Sequence, residues 1–495
     1  MKFYSLIFST GLVPSNLNVS IVITIPKGKN NWSEPGDFRP ISVSSCFASI
    51  LEHIILQNID IRSKIHSNQF GYKDRTSCKH TYFMVNETIQ FYNVNKSSVY
   101  MASLDAQKAF DKLWRFGLFF KLSKSIPNIF WIALFNYYKV SDIVIKFGGA
   151  KSVPFRINDG VKQGGFLSPY LFNFYINDLI QNCTDLKTGC RLGDFNSSII
   201  SYCDDIVLLS PTRSGLQSLL DKCSEYSKIW RINFNPKKSI GMCLKHRSGK
   251  ESCNDFFFNE SKISIADESI YLGLPIGSHK YLENYWNEKN KKVQKSLYSL
   301  NGIGCRAFGL EPFTLAKIYG IYSQPIFNYG LELCHIKKSK LKEYDRLQAC
   351  LFKRNIGLSK YARNTALLAS FRINPISKLY YKFKILFYYQ IKNLSPVSGV
   401  LDFLKNHYKT SKCPDRSFIK QLKDTTKIIG KELEESNAKD CLEALDDAFL
   451  KKITFRDKDE LFRKIRNLCH LISNDQDNCT YYKFILYKVL NEASS

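Results

Sequence analysis

Val99-Tyr-Met-Ala-Ser-Leu104-Asp105 and Ser201-Tyr202-Cys203-Asp204-Asp205-Ile206-Val-Leu-Leu209 are the two stretches that decide how this chain reads. The first is a strand-like apolar run that delivers a carboxylate at its end. The second is a pair of short apolar runs on either side of a tight turn that carries two adjacent aspartates. Paired acids with no neighbouring Lys or Arg repel one another, and such a cluster is costly unless a cation occupies it. Carboxylate-only ligation, with no His or Cys at suitable spacing, favours Mg²⁺ or Mn²⁺ over zinc. Two such ions about 3.5–4 Å apart clamp the attacking and leaving oxygens of a phosphoryl transfer. Successive strand residues point to opposite faces, so Asp204 and Asp205 are not equivalent ligands. The expected bridging pair is Asp105 and Asp204, with Asp205 as a weaker ligand or as support behind them.

Between these stretches lies Asn158-Asp-Gly160-Val-Lys-Gln163-Gly164-Gly165-Phe-Leu-Ser-Pro169-Tyr-Leu-Phe. Its glycines allow close backbone approach to a flat or charged ligand, Gln163 offers an amide, and Pro169 suits the first turn of an apolar helix over residues 170–179. A Gly-Gly loop before a helix is often only structural. Its position between two carboxylate elements makes contact with a nucleotide the better reading.

Composition supports a polyanionic partner. The 495 residues carry 71 Lys+Arg against 44 Asp+Glu, a net charge of +27, yet 44% are hydrophobic and 14% aromatic. That is a folded, basic body rather than a disordered basic tail, and nucleic acid is its first candidate partner. The most apolar stretch, residues 129–138, is far short of the roughly 20 residues a spanning helix needs, so no membrane partner is expected. Residues 1–14 are expected to form an ordinary helix rather than a signal peptide. The 15 cysteines fall singly, with no C-x-x-C spacing, and read as reduced thiols in an intracellular setting.

Patterning divides the chain into three parts: an α+β part over residues 1–276, a basic helical part over 277–392, and a charged, helix-compatible remainder over 393–495. Strands are expected over residues 19–25, 99–104, 143–147, 199–202 and 206–209. Helices are expected over 50–59, 216–230, 285–300, 340–352, 427–450 and 458–472.

The ordered set Asp105-Ala-Gln-Lys-Ala-Phe110-Asp111, Gly160-Val-Lys-Gln163-Gly164-Gly-Phe-Leu-Ser168-Pro169 and Tyr202-Cys-Asp204-Asp205 resembles motifs A, B and C of a reverse transcriptase. The resemblance is to the non-long-terminal-repeat, LINE-type retrotransposon branch. Upstream, Ile25-Pro26-Lys27 and Asp37-Phe38-Arg39-Pro40-Ile41-Ser42 resemble its fingers, and Gln69-Phe70-Gly71-Tyr72 its next landmark. Downstream, residues 232–239, with Asn235 and Lys238, resemble motif D, and Tyr271-Leu272-Gly273 resembles the primer-grip strand.

The resemblance implies a right-hand polymerase: fingers and an antiparallel palm sheet over residues 1–276, then a helical thumb and a helical C-terminal region of unknown role. It implies an RNA template, a DNA primer and dNTPs as partners, and two Mg²⁺ ions, or Mn²⁺, held by Asp105, Asp204, Asp205 and the backbone carbonyl of Ala106. Lys27 and Arg39 would grip the triphosphate. Gln163 and Gly164 would line the nucleotide pocket, Phe110 would gate the ribose 2′-OH, and Lys238 would protonate pyrophosphate. Lys289, Lys291, Lys292 and Lys295 would lie along the template–primer backbone.

The sequence departs from the family pattern at Cys203, read as a small strand residue, and at Arg231, where glycine is usual. No Cys/His cluster marks an endonuclease, so a polymerase portion is expected. Two readings compete with it. One is a truncated, inactive retrotransposon remnant that only binds nucleic acid. The other is an RNA-dependent RNA polymerase, which Phe110, standing where such enzymes place a second Asp, disfavours. An active element implies a nuclear setting.

Overall fold

The computed structural model describes residues 2–28, 34–246, 255–307, 309–358, 360–453, 457–474 and 479–493. Contacts divide the chain into two units, Met1–Asp267 and Glu268–Ser495. In the first, helix α1 (Lys2–Thr10) leads into strands β1 (Val19–Pro26) and β2 (Phe38–Ser44), then helices α2 (Cys46–Asn58) and α3 (Cys78–Val94). Strand β3 (Val99–Asp105) is followed by α4 (Arg115–Ser123), α5 (Asn128–Lys139) and β4 (Asp142–Phe147). Helices α6 (Ser168–Tyr175) and α7 (Asn177–Asp185) precede strands β5 (Ile199–Tyr202) and β6 (Asp205–Ser210), helix α8 (Arg213–Trp230) and strand β7 (Ile240–Leu244).

Strand β3 is the middle of the central sheet, ordered β7–β3–β6–β5 and antiparallel throughout, with a short parallel strand, Ser264–Ile265, outside β7. Val99, Tyr100, Met101, Ala102 and Leu104 are all buried. This explains why the run is continuously apolar instead of alternating: both faces are covered, with α3 and α8 contacting the strand. Helix α8 buries Leu216, Leu219, Leu220 and Cys223, one stripe at helical spacing. Each such leucine contributes roughly 1.5–3 kcal/mol of burial. The helix starts where Thr212 accepts the Gly215 N–H at 3.1 Å. It ends on Arg231 at φ 55°, a left-handed position that glycine usually fills. Arg231 lays its guanidinium 4.5 Å over the Trp114 ring, which offsets the strain. A second sheet pairs β2 antiparallel and β4 parallel to β1.

Residues 170–179, expected as one helix, are two, with a break at Ile176. The β5–β6 turn also differs from expectation. Cys203 is not a strand residue but a buried turn residue at φ 57°. The turn holds because buried Gln69 braces it: its Oε1 accepts the Cys203 N–H at 2.7 Å and its Nε2 donates to Ser201 Oγ at 3.0 Å. Phe70 N–H donates to Ser201 O at 2.9 Å, which adds residues 68–71 to the sheet edge. At Gly71 an added Cβ would lie 2.4 Å from the Cys203 nitrogen, so only glycine lets the two segments meet.

The second unit opens with a hairpin, Ser269–Tyr271 against Leu274–Ile276. Leu272 and Gly273 form its turn at φ 47° and 76°, so the expected primer-grip stretch ends its strand at Tyr271 and continues as a tight two-residue turn. Tyr329 latches it, donating its hydroxyl to Leu272 O at 2.6 Å. Helices α9 (His279–Tyr298), α10 (Pro312–Ile318), α11 (Gln324–Asn328), α12 (Lys338–Asn355), α13 (Thr365–Ser370) and α14 (Ile376–Ile391) follow. They lead to α15 (Val397–Thr410), α16 (Phe418–Ile429), α17 (Ala438–Leu450), α18 (Lys458–Asn474) and α19 (Cys479–Glu492). The single helix expected over 427–450 is divided because Gly430, at φ 66°, caps α16. Among the described residues no helix is long and apolar enough to cross a membrane.

Replacing Gly71 with Ala should destabilise the first unit by about 1–3 kcal/mol, the usual overpacking penalty. A thermal melt checks this, and an unchanged midpoint would show that the turn can move aside freely.

Candidate active site

The antiparallel register sets Asp205 opposite Asp105 across β6 and β3. Asp204 occupies the turn that precedes β6, so the two neighbouring aspartates differ because one is on the turn and the other on the strand. Asp105, Asp204 and Asp205 thereby stand near enough for their charges to act on one another. Burial pushes the Asp204 carboxyl above the usual range and the Asp105 charge adds to it, partly offset by Asp204's own backbone N–H. Asp205 is exposed at the start of β6, yet the packed protein around it and then the Asp204 and Asp105 charges push its carboxyl up to about 6. An added cation would relieve this repulsion. Among the described residues, no three His, Cys, Asp or Glu side chains converge into a ligand shell of their own.

Asp105 and Asp204 line a cavity of about 1170 Å³. Around the same space stand Lys27, Arg39, Ala106, Phe110, Gln163, Gly164 and Lys238, so the structure brings together every nucleotide-pocket residue read from the sequence. Asp205 is not among its lining residues. Lys27 donates to Gly36 O at 2.8 Å, and Arg39 is exposed on β2. Lys238 reaches to 3.9 Å from Asp105 Oδ2. It is held there by a turn in which Asn235 N–H donates to Asp105 O at 2.8 Å and Lys238 N–H to Asn235 O at 3.1 Å. Ala106 pairs with Phe234 beside it.

The loop of residues 160–169 is fixed against this floor. Gly160 N–H donates to Leu113 O at 2.8 Å and Val161 N–H to Phe110 O at 2.7 Å, which locks the backbone of Phe110. Its ring stacks on Phe172, centroids 5.2 Å apart at 20°. At Gly164, φ 111°, an added Cβ would lie 2.7 Å from Ser42 O. The neighbouring Ser42 N–H donates to Gln163 O at 2.7 Å, tying the loop to β2.

Four residues in this architecture carried no role in the sequence reading. Asp111 accepts the Gln163 amide at 2.9 Å and so orients it; burial raises the Asp111 carboxyl, with Gln163, Lys108 and Lys27 opposing. Buried Glu52 accepts the Leu167 N–H at 3.1 Å and the Tyr137 hydroxyl at 2.7 Å. Lys162 donates to that same hydroxyl at 2.9 Å, and burial lowers its ammonium to about 8. Buried Arg115 donates to Gly160 O at 2.8 Å and Ile157 O at 2.6 Å. A lone acid within the apolar run Ile50-Leu-Glu-His-Ile-Ile55 is the one signal that could have revealed Glu52; nothing local marks Arg115.

The lysine row of α9 needs correcting. Lys289 is buried, donates to Tyr329 O, and sits 4.8 Å over the Trp286 ring and 5.1 Å over Tyr285. It packs the interior of the second unit and cannot meet a nucleic-acid phosphate; the reason is helical phase, which turns Leu282, Trp286, Lys289 and Val293 to one inward face. Lys291, Lys292 and Lys295 are exposed, Lys291 within 2.7 Å of Glu288.

Comparison with known proteins gives this geometry its family. A family model described as Reverse transcriptase (RNA-dependent DNA polymerase) matches residues 25–276, about half of the chain. The chain belongs to the reverse transcriptase family. Among its relatives is the retrovirus-related Pol polyprotein from type-2 retrotransposable element R2DM of Drosophila melanogaster, 29% identical over 55% of this chain and 26% of that protein. Another is the RNA-directed DNA polymerase from mobile element jockey of the same organism, 24% identical over 73% of this chain and 41% of that protein. These come from non-long-terminal-repeat elements, the branch that the motifs resemble. This reverse transcriptase therefore spans about a quarter to two-fifths of the length of those relatives. A solved structure of apo telomerase from Candida tropicalis is similar over 93% of this chain and 72% of that one, with 11% identity and a TM-score of 0.42.

The crowded carboxylates predict a pH signature. A folded-state carboxyl raised to about 6 stabilises the fold below the ordinary Asp value near 3.8, and this contribution is lost as pH rises through about 6. In EDTA, Asp205→Asn should melt at a higher temperature than the parent at pH 7 and level with it at pH 4. Adding Mg²⁺ at pH 7 should narrow the gap. A gap independent of pH would refute the repulsion.

Proposed function

We propose that this chain is an RNA-directed DNA polymerase that extends a primer 3′-OH on an RNA template by two-metal nucleotidyl transfer, as in non-long-terminal-repeat retrotransposition. The observation that carries the reading is that Asp105 and Asp204 line the same cavity as Lys27 and Arg39. Carboxylates and basic side chains around one cavity suit a nucleoside triphosphate with its cations.

In this reading Asp105, Asp204 and the Ala106 carbonyl would hold two Mg²⁺ ions, supported by Asp205, and the ions would supply activation of the attacking hydroxyl and neutralisation of the departing pyrophosphate. Lys27 and Arg39 hold the triphosphate oxygens, Arg39 with a planar fork suited to two of them. Gln163, oriented by Asp111, and Gly164, whose missing side chain lets the loop close on Ser42 of β2, shape the pocket for base and sugar. Phe110 is backed by Phe172 and tied through its carbonyl to Val161, so its ring cannot retreat from a ribose 2′-OH. Lys238, already beside Asp105, supplies a proton to pyrophosphate as it leaves. The exposed Lys291, Lys292 and Lys295 supply salt-sensitive contact with the template–primer backbone.

Primed RNA and dNTPs test the reading directly. Asp204→Asn should lower Mg²⁺-dependent incorporation by at least about a hundredfold, since even residues behind a metal ligand are worth 10–100-fold; equal incorporation by both proteins would remove the metal assignment. Phe110→Ala should raise the relative use of ribonucleotides by about tenfold or more while dNTP incorporation persists. Unchanged selection against NTPs would falsify the gate.

A further inference from the structure

The second unit contains a basic groove that the polymerase reading leaves without a role. Residues 397–431 carry eight Lys and Arg against three Asp, a local excess of five positive charges. Helices α15 and α16 pack together here and enclose a groove of about 440 Å³. Lys405 and Lys409 on α15 are one turn apart. Lys420, Lys423 and Lys427 on α16 are spaced by three and four, which places them on one helical face. Ile419, Leu422 and Leu433 form an apolar floor.

The lysines are arranged rather than scattered. Lys405 ion-pairs with Glu434 at 2.7 Å and lies 4.8 Å over the Tyr388 ring, and Lys423 donates to Tyr408 O at 3.2 Å. These contacts set the walls and neutralise Glu434, one of two acids at the groove. Lys420 and Lys427 make no ion pair among the described residues, and the lining, five lysines against Glu432 and Glu434, stays positive by three charges. A row of cations with steps of about 5 Å, one helical turn, suits a repeating anion better than a single phosphate. The floor is closed, with Ile419 at 3%, Leu422 at 6% and Leu433 at 3% exposure, so the groove meets a strand through its lysines, and a flexible single strand can follow so short a groove where a stiff duplex cannot.

We propose that the groove between α15 and α16 binds the sugar–phosphate backbone of single-stranded nucleic acid, as a site of the second unit that goes beyond the polymerase reading and stands without it. Lys409, Lys420 and Lys427 make the phosphate contacts, and Lys405 and Lys423 hold the walls in place.

The test uses the full chain and a labelled, unstructured RNA of about 20 nucleotides, with affinity read by fluorescence anisotropy across a salt series. The triple variant Lys409→Gln, Lys420→Gln, Lys427→Gln should bind about tenfold or more weakly near 0.15 M salt. Its log affinity against log salt should be shallower by about 2, because each lost phosphate contact on a single strand removes about 0.7. The same three positions changed to Arg should retain both affinity and slope. Unchanged RNA affinity and slope in the Gln variant overturn the proposal. So does loss of binding to phosphatidylserine vesicles with RNA binding intact, which would assign the groove to a membrane surface. Incorporation on saturating, pre-annealed primer–template is measured in the same preparations. If the parent incorporates nothing while the Gln variant loses RNA affinity, the groove stands and the polymerase reading falls. If the parent incorporates and the Gln variant binds RNA unchanged, the groove falls alone.

Discussion

Three carboxylates held together against their own repulsion are the constraint on which the first unit is built. The register of β3 against β6 leaves Asp105 and Asp205 no freedom to part, and the turn before β6 adds Asp204 beside them. Folding crowds their charges and pushes Asp204 and Asp205 upward, although Asp205 stays exposed and the Asp105 side chain is 44% exposed. A protein keeps such a feature only where the surrounding structure over-determines it. Here that structure is a strand buried on both faces and a turn braced by Gln69 from a segment more than a hundred residues earlier in the chain.

The rest of the site follows from that rigid floor. The loop carrying Gln163 and Gly164 is not free to choose its position: Arg115 grips the Gly160 carbonyl at one end and Glu52 the Leu167 N–H at the other. Both are buried charges with hydrogen-bonded partners, the condition under which burying charge is tolerable. Phe110 gains its definition from the same loop, since the Val161 N–H holds its carbonyl and Phe172 its ring. Basic groups then ring an acidic centre, and a chain of net charge +27 concentrates its chemistry on a few residues of the opposite sign.

Much of this was legible in advance. The strand at 199–202 has the bounds its apolar pattern suggests, and β3 and β6 differ by a residue or so at their ends. The pocket residues are legible because each lies inside a short motif whose spacing fixes local geometry. Misreadings occurred where phase or backbone conformation decided the outcome. Lys289 looked like part of an exposed row because counting charges ignores which side of a helix they occupy. Cys203 and Leu272 read as strand residues because a left-handed backbone is uncommon for residues other than glycine.

The sequence by itself determined the chemistry: the aspartates at strand ends, the glycine loop between them, the excess of positive charge and the order of motifs that marks the family. These are local properties, set by residue type and spacing of a few positions. Only the tertiary structure decided which supports make them work. Gln69 braces a turn 134 residues away, Arg115 holds a carbonyl 45 residues away, and Glu52 fixes an N–H 115 residues away. The groove between α15 and α16 likewise exists only once two helices pack and bring two lysine rows face to face. Such partners are chosen by long-range packing, and no short window of sequence records which buried donor will meet which acceptor.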